Sequence, residues 1–389
     1  MFAPILLLAA AITAGDAEFE AFKSRFRAEA IAKGVEASVY DREMASAAPL
    51  EIVFERDSNQ PEFVRPIWGY LDSAVSDRRV ADGRVGYEAN QALLAMIAET
   101  YGVDPAIVVA IWGLESAYGK ILGDHDVLSA LSTLAYKGRR QSFGEQQLVA
   151  ALTILQNGDA QRSELKGSWA GAMGQTQFIP TTYLAYAIDW NSDGRRDLWA
   201  DREDVFASTA NYLDQSGWVP GQPAVLEVTL PEQFNYAAAD GSRRTVAAWM
   251  ESGVKGAMMP LTDRVDAEAK AKLLLPAGAK GPAFLTFANF DAIKRYNNAT
   301  SYALGVALLA ERIKGADITV AADWPRDDRP LSFEERIALQ EQLAARGYQP
   351  GPADGIIGPR TMSALREWQQ TEGLPADGYP SAMVLSKLL

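Results

Sequence analysis

The run Asp104-Pro105-Ala-Ile-Val-Val-Ala-Ile-Trp-Gly-Leu-Glu115-Ser-Ala-Tyr-Gly119 constrains this chain more than any other stretch. It reads as a single helix. Asp104 suits the N-cap and Pro105 the first helical position, while Gly119 suits the stop. Between them nearly every side chain is apolar, so the helix has to be buried on most faces. Glu115 is the exception. Desolvation and the negative end of the helix dipole both raise the pKa of a carboxyl placed there. A carboxylic acid is kept protonated near neutral pH in this way, ready to donate a proton. The alternative is a Glu that reaches solvent at the helix end or pairs with an arginine, since structural ion pairs perturb pKa values too.

Composition narrows the chemistry around that acid. The chain has 389 residues, 48% of them apolar, which is room for two or three domains and a sizeable core. A formal net charge of -13 argues against nucleic-acid binding through a basic surface. The absence of cysteine removes disulfides, thiolate metal sites, cysteine nucleophiles and a lipid-anchor cysteine. His125 is the single histidine, so a multi-histidine metal centre is excluded. It lies between Asp124 and Asp126 with no Gly-x-Ser-x-Gly elbow in the chain, and reads as a loop residue. The first 17 residues are an apolar run ending in small residues, too short to span a membrane. They read as a secretory signal cleaved after Ala14 or Ala17, although no Lys or Arg precedes the apolar run. A buried first helix is the other reading.

Along the chain, residues 18–100 read mostly as helices packing around the Glu115 helix, with an irregular stretch at 42–66. A short apolar helix follows at 127–136, then Arg139, Arg140 and Phe143. By themselves the twin arginines read as surface residues capping carboxylates, with an anionic substrate group as the second reading. The stretch Lys166 to Pro180 sets glycines and glutamines among aromatics. Such a loop brings backbone close to a ligand and supplies amide donors and acceptors, which suits a sugar; a tightly packed loop is the alternative. Next, Asp189-Trp-Asn191-Ser-Asp193-Gly194-Arg195 fits the front half of an EF-hand loop. Its twelfth position is Ala200, so a later acid, Asp204 or Glu203, has to close the site. An acidic surface turn is the other reading. Helix returns at 205–215. From about 217 to 290 the texture becomes that of a small β-containing insert, with strands expected at 224–230 and 283–287. Helical pattern resumes at 291–298 and 302–313, and residues 315–330 read as a linker. The segment 331–389 carries two related half-patterns, each with an Asp-Gly turn (Asp354-Gly355, Asp377-Gly378), and reads as a three-helix unit suited to binding.

These motifs together resemble a known family. Glu-Ser-Ala-Tyr-Gly at 115–119, Gly-Ala-Met-Gly-Gln at 171–175 and Arg-Tyr-Asn-Asn at 295–298 are similar to the lysozyme-like lytic murein transglycosylases. The calcium-like loop and the β insert resemble the membrane-bound lytic murein transglycosylase B family in particular, and residues 331–389 resemble a peptidoglycan-binding domain. The resemblance implies a mainly α fold: a lysozyme-like α-domain with a helical N-terminal region, a small β-containing insert and a three-helix C-terminal domain. It implies a catalytic region over residues 18–314 that cleaves the β-1,4 bond between N-acetylmuramic acid and N-acetylglucosamine without water, leaving 1,6-anhydromuramic ends. Glu115 matches the sole acid/base. Ser168, Met173, Gln175, Gln177 and Phe178 match one wall of a glycan groove, and Tyr212, Tyr296, Asn297 and Tyr302 the other. Arg139, Arg140 and Phe143 match residues near saccharide or peptide subsites. Asp189, Asn191, Asp193, the Arg195 carbonyl and Asp204 match the ligands of a structural Ca2+, with one extra residue before Asp204; no cofactor is needed for the chemistry. The implied partners are peptidoglycan strands and other cell-wall enzymes, with no nucleic acid, for a soluble periplasmic monomer. A lysozyme-type hydrolase needs a second carboxylate, for which Asp124 and Asp126 are the nearest in sequence. A glycan-binding scaffold without activity is a third reading.

Overall fold

The structure is a computed structural model that describes residues 14–58, 65–317 and 320–389. Most of the expected secretory segment, residues 1–13, lies outside them; its last four residues begin the Ala14–Ala32 helix. The chain divides into two compact units: residues 1–60 with 119–208, and residues 61–118 with 209–389.

In the first unit, Phe19, Phe22 and Phe26 recur along the Ala14–Ala32 helix and bury one apolar stripe. Phe22 stacks on Phe26, and the three rings meet Tyr136 and Tyr40 edge-on or tilted, with ring separations of 5.5 to 6.5 Å. The helices Val127–Lys137 and Gln141–Asn157 pack closely on each other; Gly144 makes that possible, since a Cβ there would lie 2.5 Å from the Ala135 nitrogen. Asp126 caps the first of the two by accepting the Ser129 N–H at 2.7 Å. The stretch expected to be irregular, 42–66, holds the end of the helix Ala37–Met44 and the whole of Glu51–Ser58.

The second unit is built around Pro105–Ser116. Every residue from Ala106 to Gly113 is buried, as the apolar sequence requires. Asp77–Ala89, Gln91–Tyr101 and Thr300–Ile313 pack against it. Burial of a dozen apolar side chains at about 1.5–3 kcal/mol each is what holds such a shell together. Asp104 caps the helix through the Ala106 N–H at 2.9 Å. The stop differs from the sequence expectation. The helix ends at Ser116, and Ala117 and Tyr118 take left-handed backbone with φ of 49° and 62° before Gly119 at 78°. Tertiary packing explains this: the Tyr118 ring lies where a Cβ on Gly113 would be, 2.5 Å away, and its hydroxyl donates to the Arg79 carbonyl at 2.6 Å.

The insert is a five-stranded antiparallel sheet in the order Arg244–Thr245, Lys270–Leu274, Ala283–Thr286, Val225–Thr229, Lys255–Gly256. The two strands legible in the sequence pair with each other, Leu226 opposite Leu285. Trp249, Phe287 and Leu285 form the centre of its core. Residues 320–328 lie across this unit. Glu227 accepts the Ala321 and Ala322 N–H groups at 2.6 and 2.8 Å. Trp324 packs near Trp68 and Phe284, and Arg326 forms a two-pronged pair with Asp72 at 2.8 and 2.9 Å. The C-terminal helices Phe333–Ala345, Pro359–Thr371 and Ala382–Leu388 close on Leu339, Leu343, Leu365, Trp368, Leu385 and Leu388.

Candidate active site

Glu115 sits one residue from the C-terminal end of its helix, and the residue as a whole is half-buried. Burial of its carboxyl pushes the pKa up to about 7, against a hydroxyl bond from Tyr302 that lowers it. The Tyr302 hydroxyl donates to Glu115 Oε1 at 2.6 Å. Tyr302 is itself buried, and burial together with the Glu115 charge holds its own pKa well above the usual phenol range, so it stays a donor. Tyr70 also lies within the field of Glu115, which raises its pKa in addition to burial. Gly305 brings the Thr300–Ile313 helix close to this point: a Cβ there would lie 3.2 Å from the Tyr70 ring and 3.7 Å from Leu114. The carboxyl is therefore desolvated, oriented by one phenol and poised to titrate near neutrality, which is the state a general acid needs.

Of the four residues expected along one wall, Tyr302 is thus in direct contact with the acid. Tyr212 and Tyr296 form an edge-on pair with rings 4.9 Å apart, and the Tyr212 hydroxyl donates to the Arg295 carbonyl at 2.6 Å. Asn297 is exposed and caps the following turn through the Ala299 N–H at 3.1 Å. Neither Tyr70 nor Tyr118 figures among the sequence candidates; Tyr70 sits in ordinary helical pattern and reaches the Glu115 carboxyl only through packing, whereas Tyr118 lies three residues beyond the acid, inside the Glu-Ser-Ala-Tyr-Gly motif itself.

In the first unit, the loop 166–180 is stiffened by its own backbone. Ser168 N–H donates to the Ala172 carbonyl at 2.7 Å and Met173 N–H to Phe178 at 2.9 Å. The Ser168 hydroxyl oxygen accepts the Ala170 and Ala172 N–H groups. Gly174 (φ 67°) has no room for a side chain, since a Cβ would lie 2.6 Å from the Leu198 carbonyl oxygen. Met173, Gln175 and Phe178 are buried, and the Gln175 amide donates to the Trp199 carbonyl at 2.9 Å. Gln177, in left-handed backbone at φ 50°, donates to the Leu122 and Gly174 carbonyls. Arg139 and Arg140 both engage Asp57, through the Arg139 N–H at 2.5 Å and the Arg140 guanidinium at 3.3 Å. Arg140 also lies 5.1 Å from the Phe143 ring and 5.7 Å from that of Trp169. Trp169 is absent from the sequence candidates although it sits inside the loop motif; the cation it meets, Arg140, is 29 residues away, and no local pattern links the two.

The acidic loop folds onto its own amides. Asp189 accepts the Asp193 and Gly194 N–H groups, Asn191 accepts that of Asp193, and Asp193 accepts that of Arg195. Gly194 has φ 93°, as the sixth position of such a loop requires. Asp204 is buried and accepts the Trp190 and Asp197 N–H groups at 2.7 Å each. Burial pushes its pKa up to about 6 against those two bonds, and the charges of Asp201 and Asp189 add to the push. The Arg195 side chain turns away to the Asp159 carbonyl and Glu164. All-oxygen donors suit a hard cation, but among the described residues no three acidic or histidine side chains are gathered to hold one.

A mainly helical, lysozyme-like fold with a single desolvated acid at the tip of its core helix defines a general-acid enzyme. Residues 18–311 match the family described as transglycosylase SLT domain, so the chain belongs to that family. Residues 333–388 match a putative peptidoglycan binding domain. The membrane-bound lytic murein transglycosylase B of Escherichia coli is 30% identical over 250 residues, 63% of this chain and 66% of that relative, so the match spans about two thirds of the relative's length. Pseudomonas aeruginosa SltB3, solved in complex with NAG-anhNAM-pentapeptide, superposes with a TM-score of 0.90 at 48% identity, covering 95% of this chain and 99% of that one. E. coli Slt35, solved in complex with calcium, gives 0.63 at 28% identity over 75% of this chain and 92% of its own.

Proposed function

We propose that this chain is a lytic murein transglycosylase that cleaves the β-1,4 bond between N-acetylmuramic acid and N-acetylglucosamine, with Glu115 as both acid and base. The observation that carries the reading is the Glu115 carboxyl, raised to about 7 by burial in a member of the SLT family. Protonated Glu115 gives its proton to the glycosidic oxygen as the bond to the anomeric carbon breaks. The carboxylate left behind then takes the proton of the muramic O6 hydroxyl while that oxygen bonds to the anomeric carbon. Glu115 ends protonated again, and no water is consumed. The muramic N-acetyl group shields the oxocarbenium charge, so no second carboxylate is required, in contrast to the two-acid pattern.

Of the nearest sequence candidates for a hydrolytic second acid, one is engaged by its own partners and the other faces solvent. Asp126 is held by Arg162 and its own helix cap, and Asp124 is 93% exposed. We assign the glycan contacts to Ser168, Gln177, Tyr212, Tyr296 and Asn297, with Arg139, Arg140 and Phe143 near saccharide or peptide groups. Met173, Gln175 and Phe178, being buried, serve by shaping the loop. Sacculus digested by the wild type is expected to release muropeptides with anhydromuramic ends. Products about 18 Da heavier, with reducing ends, would mean that water attacks.

The cell-wall substrate sets the working place outside the cytoplasm, in the periplasm on the finer reading, with other cell-wall enzymes as potential neighbours. Among the described residues, no single helix is long and apolar enough to cross a membrane. We further propose that the 189–204 loop takes Ca2+ as a structural ion through Asp189, Asn191, Asp193, the Arg195 carbonyl and Asp204. Binding requires the loop oxygens to turn from their amides toward one point, and it would relieve the crowding of Asp204 by Asp189 and Asp201. Saturating calcium is expected to raise the melting temperature by roughly 5–10 °C over a chelator-treated sample, with little change in turnover at 25 °C. Loss of turnover on chelation at an unchanged melting temperature would reject the structural role.

A further inference from the structure

The C-terminal domain contains the same turn twice. In each copy a buried glutamine on the preceding helix, Gln340 or Gln369, accepts the glycine N–H of the Asp-Gly pair at 2.8 Å. The same glutamine donates back to the aspartate Oδ1, at 3.3 Å to Asp354 and 2.8 Å to Asp377. That Oδ1 also accepts the N–H two residues on, from Ile356 or Tyr379, at 2.9 Å in both. Gly355 and Gly378 share φ 72°, and a helix starts at the same distance beyond each, at Pro359 and Ala382.

The two turns differ in what they face. The Asp377 turn is filled by the β insert: Asp377 Oδ2 accepts the Ala279 N–H at 2.7 Å, and Tyr379 covers Gly278. Arg366 beside it donates to the Ala239 carbonyl at 2.9 Å. Among the described residues, Asp354 Oδ2 has no such partner. Ile356, the counterpart of Tyr379, is 67% exposed. The Phe333 ring lies against Gly355, within 2.6–3.1 Å of a Cβ position there, and is exposed too, with the Arg336 guanidinium 5.7 Å away. One copy of a repeated acceptor is occupied and the other is open, with an apolar patch beside it.

What fills the occupied copy indicates what the open one takes. The donor N–H of Ala279 follows Gly278, whose φ is 69°. An L side chain at Gly278 would put its Cβ 2.6 Å from Asp377 Oδ2. Left-handed backbone costs an L-residue but suits glycine, and by mirror symmetry it suits a D-residue, whose side chain leaves on the other side. We propose that the Asp354-Gly355-Ile356 turn binds a short wall peptide in which a D-residue precedes a backbone N–H, as in the D-Ala-D-Ala end of a murein stem. This rests on the murein reading above and adds a peptide site to it. Asp354 Oδ2 takes the N–H of the terminal residue, and Ile356 and Phe333 cover its small side chains.

The test uses the full-length chain carrying Glu115→Gln, with amide NMR shifts followed as a pentapeptide ending in D-Ala-D-Ala, or its all-L twin, is added. The Gly355 and Ile356 signals are expected to move with the D-peptide. Asp354→Asn keeps an Oδ1 acceptor for the turn but replaces Oδ2 by a donor, and is expected to weaken that binding about tenfold. Ile356→Ser, which leaves the turn bonds intact, is expected to weaken it as well, and guards against misfolding of the first variant. Shifts confined to other regions, equal response to the all-L peptide, or unchanged affinity in both variants would overturn the proposal. Failure of the cleavage chemistry would show separately, in the product masses of the wild type, and leaves this binding readout intact.

Discussion

Glu115→Gln is expected to lower turnover of sacculus by at least about a thousandfold while leaving the fold intact. General acid–base catalysis contributes roughly 10²–10⁴-fold. Here one group carries both halves of the reaction, so the loss belongs at the upper end. Gln is isosteric, and its carbonyl oxygen can still accept the Tyr302 hydroxyl that reaches Glu115 at 2.6 Å. A second effect separates this variant from a merely damaged protein. The folded state raises the Glu115 pKa from 4.5 to about 7, so it favours the protonated form. The stability this contributes is complete below pH 4.5 and is lost as pH rises through about 7. A tenfold change in proton affinity corresponds to about 1.4 kcal/mol, which gives at most about 3 kcal/mol at alkaline pH. Gln does not titrate. The variant is therefore expected to be more stable than wild type at pH 8 and equal to it at pH 4 in denaturant melts. Equal melts at both values would show that the carboxyl is solvated in the native state, and the general-acid assignment would fall with it.

Tyr302→Phe is the second large effect. The hydroxyl has two consequences: it fixes the carboxyl's orientation, and it favours the ionised form. Its removal is expected to cut kcat by roughly ten- to a hundredfold, through lost positioning, with KM little changed. The pH profile gives the diagnostic readout. With the hydroxyl gone, burial acts on Glu115 unopposed, so its pKa rises above about 7. The alkaline limb of kcat/KM, which reports loss of the donor proton in the free enzyme, is expected to move to higher pH. A loss of activity with no movement of that limb would mean that Tyr302 acts only by filling space.

The candidate site was legible to different depths at different residues. Glu115 stood out because a carboxylate in an uninterrupted apolar helix has few structural explanations. Tyr302 was matched to a groove wall, yet it contacts the acid itself across 187 residues of sequence. No local pattern encodes a partner that far away. Met173, Gln175 and Phe178 carry the chemistry of sugar contacts but lie buried, because a glycine-rich loop this tight turns its large side chains inward. Arg140 pairs with a carboxylate, Asp57, as the surface reading of the twin arginines suggests, whereas Arg139 reaches the same carboxylate through its backbone N–H.

The same contrast runs through the fold. Val225–Thr229 and Ala283–Thr286 show alternation or a β-rich apolar run, and both are strands. Lys270–Leu274 reads equally well as helix and becomes a strand because Ala283–Thr286 offers it a paired edge. Residues 315–330 have the Pro and charge content of a free linker. Glu227, Trp68 and Asp72 turn much of that stretch into a strap, and all three are remote in sequence.

The amino-acid sequence alone determined the buried core helix, the single acid within it, the order of helical and β segments, and the repeated Asp-Gly turn. These depend on the period of apolar residues and on caps, which act over a few residues. Only the tertiary structure decided that the acid titrates near neutrality and that Ala117 and Tyr118 close its helix in left-handed backbone. It also decided that one Asp-Gly turn is filled while its twin stays open. Desolvation, strain and occupancy are set by whichever groups arrive from elsewhere in the chain, and a linear pattern does not specify their distance.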